Sequence, residues 1–273
     1  RVAFELNSGR YSDVYSFAHT DPYRTVDNLS RTVSLTYRDI KQFVSASSDF
    51  SSETISAGID YSYPITEFQY LRFGVTLQRA QILTNSFGSA AQAQEWVRNN
   101  GDSFTETVDD GFGGSITFDG TKFNTAELLV GWTYNTLNRA LFPDRGTRHT
   151  LSLSYAAPGV SEVEYWVSNY EFLEFIPIYR RWALAFNAEL GYGEDVGETT
   201  ALPPYRQFFA GGPDSVRGYR ESRLGPKDQF GSPYGGNLKV IGRTELIVPV
   251  PQKWSSSARG GLFYDMGKVF STG

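Results

Sequence analysis

The clearest structural signal in the sequence is the segment Ile55-Ser56-Ala57-Gly58-Ile59-Asp60-Tyr61-Ser62-Tyr63. Apolar residues alternate with small polar residues along it, which is the period of a β-strand with one apolar and one polar face. The same alternation returns over residues 2–7, 15–17, 33–37, 71–77, 126–134, 151–155, 164–176, 182–192, 238–248 and 262–266. The sequence therefore predicts an all-β chain of about eleven antiparallel strands.

Alternation alone does not separate a soluble β-sandwich from a membrane barrel, since both have one apolar and one polar face. Strand length favours the barrel, because about ten residues are what a tilted strand needs to cross a bilayer. Aromatic residues near strand ends favour it too, because such barrels carry aromatic girdles at both interfaces. These residues are Tyr61, Tyr63, Trp132, Tyr134, Trp182 and Tyr192.

The connections between strands point the same way. Short turns are predicted at residues 64–67, 177–179 and 249–251, with longer loops on the opposite side, and this asymmetry is typical of outer-membrane barrels. In lipid every strand edge must be paired, so the sheet must close. The predicted fold class is therefore all-β, an antiparallel transmembrane β-barrel.

The parity of the strands predicts which side chains face lipid and which face the lumen. The residues expected to face lipid are Leu151, Leu153, Leu184, Phe186, Leu190 and Leu262. The residues expected to face the lumen are Ser152, Asn187 and Glu189.

Composition argues against several function classes. The chain has no cysteine and two histidines, His19 and His149, far apart in sequence, so neither a thiol nucleophile nor a His-based catalytic or metal centre is expected. The formal net charge is -5 and no basic run is present, so a nucleic-acid partner is not expected. We expect a protein that is not an enzyme and has no catalytic residues, no metal and no cofactor.

One long segment, at about residues 194–236, breaks the alternation. About forty residues are too many for a simple connection between strands. The segment contains Phe208-Phe209-Ala210-Gly211-Gly212-Pro213-Asp214-Ser215-Val216-Arg217-Gly218-Tyr219, in which Gly211 and Gly212 favour tight backbone turns. These residues leave two interpretations of Arg217 open: a solvated surface side chain, or a planar fork bound to a buried carboxylate.

Two smaller features lie outside the strands. Residues 90–98 are predicted to form a short helix in an external loop, with Trp96 as a packing anchor over the barrel mouth. Asn138-Arg139 with Phe142-Pro143 is interpreted as a rigid turn at the opposite end of the barrel.

Four motifs, in order along the chain, are similar to those of a known family. The run Phe208–Tyr219, followed by Leu224-Gly225-Pro226-Lys227, resembles the sixth-loop motif of the BamA family, the outer-membrane β-barrel assembly factors. Three further segments resemble the family's strands before and after this loop. They are Gly131-Trp132-Thr133-Tyr134-Asn135-Thr136-Leu137-Asn138-Arg139, Tyr234-Gly235-Gly236-Asn237 and Phe263-Tyr264-Asp265-Met266-Gly267. The resemblance covers nearly the whole chain and is strongest from Gly131 onward.

The resemblance implies that residues 1–273 form a partial outer-membrane β-barrel domain, equivalent to strands three to thirteen of a sixteen-stranded barrel. The periplasmic POTRA domains and the remaining strands would lie outside it. The resemblance also implies that the long loop, at about residues 194–236, folds back into the lumen. Its aromatic residues Phe208, Phe209 and Tyr219 are then expected to be shielded from water.

The loop-lock motif that the resemblance implies consists of Val216, Arg217, Gly218 and Tyr219, together with the turn glycines Gly211 and Gly212. By parity, Glu245 and Asp265 point inward on the two strands after the loop, and they are the predicted lumen-wall partners of Arg217. Arg243 and Arg259 are alternative partners for the same acids, so both pairings remain open.

The function that the resemblance implies is the folding and insertion of β-barrel proteins in the bacterial cell outer membrane, without ATP. The implied partners are the outer-membrane lipid bilayer, unfolded outer-membrane protein substrates, accessory lipoproteins of the assembly complex, and periplasmic chaperones acting through POTRA domains. TamA-like translocation and assembly factors and two-partner secretion transporters share the Arg-Gly-Tyr loop and are close alternatives. A passive porin is a further alternative, with Arg217 as a constriction charge.

Overall fold

The computed structural model describes residues 1–9, 12–25, 28–45, 48–85, 89–109, 115–229, 231, 233–250 and 259–272. This part of the chain contains twelve strands, one α-helix and one short 3-10 helix. The strands are β1 (Val2–Ser8), β2 (Ser12–Asp21), β3 (Ser30–Ser45), β4 (Ser48–Thr66), β5 (Gln69–Asn85), β6 (Asp102–Asp109), β7 (Ser115–Asn135), β8 (Gly146–Ala156), β9 (Tyr165–Tyr179), β10 (Trp182–Asp195), β11 (Leu238–Val248) and β12 (Gly260–Phe270). The helices are α1 (Ala91–Asn99) and the 3-10 turn Pro204–Arg206.

The strands form one antiparallel sheet in which neighbours along the chain are, with one exception, neighbours in space. The order is β1-β2-β3-β4-β5-β7-β8-β9-β10-β11-β12, and β6 pairs with the first part of β7 as a hairpin beside this path. Among the described residues the sheet is open, with β1 and β12 at its edges. The predicted all-β antiparallel fold is confirmed, and the main path has the eleven predicted strands.

The two faces of the sheet differ in chemistry. We call the face that contacts residues 196–237 the inner face, and the opposite one the outer face. Large apolar side chains with exposed fractions of 41–69% lie on the outer face at Leu151, Leu153, Leu190 and Leu262. On the inner face, Asn187 and Glu189 hydrogen-bond to Arg243. An exposed apolar face of this extent is stable in contact with lipid and unfavourable in water.

Two of the predicted short turns are present but lie later in the chain, at residues 67–68 and 180–181, because the strands continue through their prolines. β4 extends to Thr66 and β9 extends to Tyr179. Pro64 lies beyond Ser62, the last residue of β4 that pairs with β3, and Pro177 lies beyond the last β9 residue paired with β8. At both sites the sheet has no neighbour on one side, as in an edge strand, and edge strands are where proline is tolerated in a sheet. The third predicted turn, 249–251, falls partly outside the described residues.

β6 was not predicted. Its sequence, Asp102-Ser-Phe-Thr-Glu-Thr-Val-Asp109, is rich in polar residues, and most of the side chains described in it are exposed. Because neither face is buried over residues 102–107, burial imposes no alternation on this part of the sequence.

Helix α1 is confirmed, one residue later than predicted. Its sequence is rich in good helix formers such as alanine, glutamine and glutamate. It buries Trp96 and Val97 against Ile82 of β5 and Phe123 of β7, and the Trp96 and Phe123 rings meet edge to face at 5.6 Å. Among the described residues, no helix is long and apolar enough to span a membrane.

Candidate functional site

The connection between β10 and β11 lies against the inner face of the sheet. Phe208 and Gly236 form an isolated antiparallel bridge, which holds the two arms of the loop together. A Cβ atom at Gly191 of β10 would lie 2.6 Å from the Phe208 ring, so the ring rests directly on the backbone of the wall. Glycine at this strand position therefore lets the loop approach the sheet closely.

The turn glycines of the loop have the backbone conformation that favours glycine. Gly211 and Gly212 have φ angles of +105° and +99°. A Cβ atom at Gly211 would collide with the carbonyl oxygen of Arg220. The turn also closes through a hydrogen bond from Gly212 N to the Tyr219 carbonyl, at 3.1 Å. These two residues fold the motif into a tight loop that presents the next segment to the wall.

Arg217 binds the carboxylate of Asp265 on β12 through two parallel contacts. Its Nε donates to Oδ2 at 2.7 Å and its Nη2 donates to Oδ1 at 2.7 Å, and its backbone N–H donates to Oδ2 at 3.0 Å. Nη1 lies 3.4 Å from Oε2 of Glu245 on β11. The guanidinium carbon lies 3.6 Å from the centre of the Phe263 ring. The loop arginine thus contacts two acids and one aromatic ring of the wall.

This geometry stabilises the charges on both sides. The Asp265 side chain is 1% exposed and that of Arg217 is 27% exposed, so the acid is buried beneath the arginine. Hydrogen bonds to Asp265 raise the pKa of Arg217 above its ordinary value, although burial opposes the shift. A planar fork that fills both oxygens of a carboxylate is the strongest type of side-chain ion pair, and an ammonium group does not reproduce it.

Val216 seats the loop next to the ion pair. Its side chain is 1% exposed and packs with Ala210, Ile241 and Val269. A Cβ atom at Gly267 of β12 would lie 3.0 Å from both Val216 Cγ2 and Ile241 Cγ1. The absence of a side chain at this strand position therefore provides the space that the valine fills.

The alternative pairing of the two acids with other arginines is not what the described contacts show. Arg243 hydrogen-bonds to Asn187 and Glu189, and its Nη1 donates to the carbonyl of loop residue Asp214 at 2.5 Å. Arg259 donates to the carbonyl of Pro143 at 3.3 Å. Arg243, which lies on the wall, therefore binds the loop backbone and holds it against the sheet. Arg259 instead contacts a turn at the end of the sheet.

A second arginine of the loop, which the sequence analysis did not single out, also binds the wall. Arg206 forms an ion pair with Glu127 of β7, and its Nε donates to the Tyr165 hydroxyl on β9 at 3.0 Å. That hydroxyl donates to Glu127 at 2.8 Å. Burial by itself lowers the pKa of Arg206, but Tyr165 and Glu127 more than offset it and hold this pKa above its ordinary value. The signal in the sequence was Glu127, an acid at an inward position that needs a cation.

The first part of the loop is tied to α1. The indole N–H of Trp96 donates to the carbonyl of Ala201 at 2.8 Å. Asn100 exchanges two hydrogen bonds with Thr200, at 2.8 and 3.0 Å. Leu202 packs into the same buried cluster as Trp96. The loop is therefore held at three levels, by α1, by the Arg206 contacts and by the Arg217 contacts.

One expectation about the motif is wrong. Tyr219 is 57% exposed, whereas Phe208 and Phe209 are half-buried. Gly218 has a φ of +90°, and a Cβ atom there would meet nothing within 4 Å. The chain turns away from the wall at this glycine, so the tyrosine that follows points into open space.

The arrangement holds a segment of the loop in place against the wall. Both oxygens of Asp265 are occupied by Arg217. Within the part of the chain that the structure describes, no three acidic or histidine side chains are grouped to hold a metal ion.

Comparison with known proteins identifies the family. The family model for the Omp85 superfamily domain matches residues 1–273. The chain belongs to the Omp85 superfamily. It is 30% identical over 263 residues to the outer membrane protein assembly factor BamA of Neisseria meningitidis serogroup B, covering 93% of this chain and 31% of that protein. The resemblance to the BamA family is thus confirmed, and the chain spans about a third of this relative.

A solved structure supports the fold of this Omp85 chain. The crystal structure of BamA from Haemophilus ducreyi lacking POTRA domains 1-3 superposes with a TM-score of 0.85 at 24% identity, covering 99% of this chain and 52% of that one. Together with the family match, this confirms the outer-membrane β-barrel fold and the predicted location in the outer membrane of Gram-negative bacteria.

Proposed function

We propose that the full-length Omp85 protein folds and inserts β-barrel proteins into the outer membrane without ATP. The observation that carries the proposal is the docked loop, in which Arg217 is bonded to Asp265 and Glu245 of the wall. The Neisseria relative, an outer membrane protein assembly factor by name, supports it. The energy for insertion would come from the substrate itself, since pairing its strands and burying its apolar face in lipid are both favourable.

In this proposal the chain supplies part of the wall of a larger barrel, together with the loop that is anchored to that wall. It would supply strands three to thirteen of sixteen, and residues 194–236 would lie in the lumen. Val216, Arg217, Gly218 and Tyr219 would act as the loop lock, with Glu245 and Asp265 as its wall partners. An anchored loop keeps these strands in one arrangement, so that opening is confined to another part of the barrel. A strand edge exposed there would pair with the strands of a substrate.

The proposed partners of the full-length protein follow from its place in the membrane. The lipid bilayer would cover the outer face, where Leu151 and Leu153 are exposed. Unfolded outer-membrane proteins would be the substrates. Accessory lipoproteins and periplasmic chaperones would deliver them through domains outside this chain.

The test is insertion by the full-length protein reconstituted in lipid vesicles. An unfolded outer-membrane barrel is added, and its folded fraction is followed by its resistance to heat on a gel. We expect the wild-type protein to accelerate folding in the absence of ATP, and Arg217→Ala to lose most of this acceleration. Arg220→Ala is the matched control, because Arg220 lies in the same loop and its side chain is exposed.

Two other outcomes would reject the proposal in favour of the alternatives. Steady ion conductance with no acceleration of folding would indicate a porin. Export of a secreted partner protein with no effect on barrel folding would indicate a two-partner secretion transporter. Acceleration confined to autotransporter barrels would narrow the assignment to a TamA-like factor.

A further inference from the structure

A polar cavity lies at the end of the sheet opposite α1, where the β7–β8 and β9–β10 connections approach the end of β11 and the start of β12. Its volume is about 430 Å³. Three arginines and one acid are among its lining residues: Arg139, Arg181, Arg259 and Asp144. The rest of the lining is largely apolar and includes Phe142, Ile247 and Val250. The cavity therefore has an excess of positive charge, and much of the lining around that charge is apolar.

Asp144, the one acid among the described lining residues, is already engaged. Asp144 lies 3.5 Å from Nη1 of Arg139, and its Oδ1 accepts a hydrogen bond of 2.7 Å from Asn138. Glu245 lies nearby on β11, but its carboxylate contacts Arg217. Arg181 and Arg259 thus form no ion pair with the acids around the cavity.

Arg259 carries the strongest sign of a missing partner. Its Nε is buried and has no hydrogen-bond partner among the residues that the structure describes. Its guanidinium stacks over Phe175, 4.9 Å from the ring centre, and Nη1 is held by the Pro143 carbonyl. Burial lowers the pKa of Arg259 from its ordinary value, and Glu245 and Asp144 only oppose that shift. A half-buried arginine with a free N–H and no ion pair is costly unless an anion binds it.

Arg181 stands at the same cavity on the β9–β10 turn. Its side chain is exposed, and the ion pairs of the described residues do not include it. It lies in the tight turn between β9 and β10, in which Arg180 has a φ of +51°. Two arginines that form no ion pair with the described residues therefore line one cavity, and an arginine fork is well suited to bind a carboxylate.

We propose that this cavity binds the carboxylate of an acidic residue in a polypeptide segment that approaches the barrel from this end. The position of the cavity on the inner face favours a polypeptide ligand over a lipid headgroup. Ile247 and Phe175, which line or support the site, are buried on the inner face, away from the apolar outer face that contacts the bilayer. The apolar lining contacts the main chain and neighbouring side chains of the segment, and Arg181 and Arg259 bind its carboxylate.

The test is a binding experiment on the folded full-length protein in neutral-lipid nanodiscs. The probe is a fluorescein-labelled pentapeptide, acetyl-Gly-Ser-Glu-Ser-Gly-amide, followed by fluorescence anisotropy. The matched peptide has glutamine in place of glutamate. We expect the glutamate peptide to bind at least about tenfold more tightly, because a charge-assisted contact is stronger than a neutral one.

Variants locate the site. Arg181→Gln and Arg259→Gln are each expected to weaken binding of the glutamate peptide about tenfold or more, to the level of the glutamine peptide. Arg98→Gln is the control, because Arg98 is an exposed arginine of α1 that pairs with Asp119 at the other end of the sheet. Heat-resistant migration on a gel shows that each variant is folded. Arg181 lies on an exposed turn, so its variant keeps the test decisive even if Arg259→Gln fails to fold.

Several results would overturn the proposal. Equal binding of the two peptides, or unchanged binding by Arg181→Gln, would show that no carboxylate is recognised there. Competition by millimolar inorganic phosphate without preference for the glutamate peptide would indicate a general anion site. Binding that appears only in nanodiscs with phosphatidylglycerol, and is lost in Arg181→Gln, would assign the cavity to a lipid headgroup.

Discussion

Removal of the Arg217 side chain is the most direct test of the loop lock. In Arg217→Ala, Asp265 loses two of its three hydrogen bonds from the loop and keeps only the contact with the backbone N–H. Its carboxylate is 1% exposed, so water replaces the lost donors poorly. Breaking a buried pair costs about 3–5 kcal/mol, and we take the lower value, about 3 kcal/mol, because Arg217 itself is partly exposed.

A loss of about 3 kcal/mol corresponds to roughly a hundredfold shift in the docking equilibrium of the loop. Amide hydrogen exchange of residues 208–225 in the folded full-length protein measures this shift. We expect exchange of these amides to accelerate by about that factor, while the strands remain protected. Arg217→Lys is expected to restore docking only in part, because an ammonium group does not fill both carboxylate oxygens.

A double-mutant cycle with Asp265→Asn isolates the pair. We expect a coupling free energy of about 1.5–3 kcal/mol between the two substitutions, measured from the same exchange rates. Arg220→Ala in the same loop should leave exchange unchanged. Additive effects of the Arg217 and Asp265 substitutions would refute the reasoning, since they would mean that the ion pair does not hold the loop.

Further substitutions test the other contacts of the loop. Arg206→Met breaks the ion pair with Glu127, and we expect docking near the 3-10 turn to weaken by about 3 kcal/mol, measured as faster protease cleavage there. The effects of Arg206→Met and Glu127→Gln should be less than additive in the double variant. Gly267→Ala places a methyl group 3.0 Å from the seated loop valine, which should cost about 1–3 kcal/mol by overpacking and lower the unfolding temperature. Gly242→Ala, where the nearest atom is 3.5 Å away, should not. Trp96→Phe removes a donor to a loop carbonyl. We expect the free energy that protects amides at the start of the loop from exchange to fall by about 1 kcal/mol, so these amides should exchange faster.

The fold was accessible from the sequence because a barrel strand is a local signal. Each strand alternates with period two over its own residues, so segments such as 55–63 and 126–134 can be recognised without knowledge of their neighbours. The strand order follows from antiparallel neighbours along the chain. The same reasoning failed where burial does not impose alternation, as in β6, and at Pro64 and Pro177, where the neighbouring strand ends first.

The site was accessible only in part. Strand parity and the resemblance of the loop motif brought Arg217, Glu245 and Asp265 into one hypothesis, because parity assigns both acids to the inner face. The sequence left open which arginine these acids would bind. The structure places Arg217 against Asp265 and turns Arg243 toward Glu189 and the loop backbone.

The sequence by itself determined the eleven strands of the main sheet path, the two faces of the sheet and the candidate residues of the loop. Contacts between residues far apart in the chain were decided by the tertiary structure alone, and they include the binding of Arg206 to Glu127, the space for Val216 above Gly267 and the cavity around Arg259. The physical reason is that periodicity reports how a residue is oriented relative to its own strand. Which partner it meets depends on the path of an irregular loop, and that path is fixed by packing and charge compensation, which leave no periodic trace in the sequence.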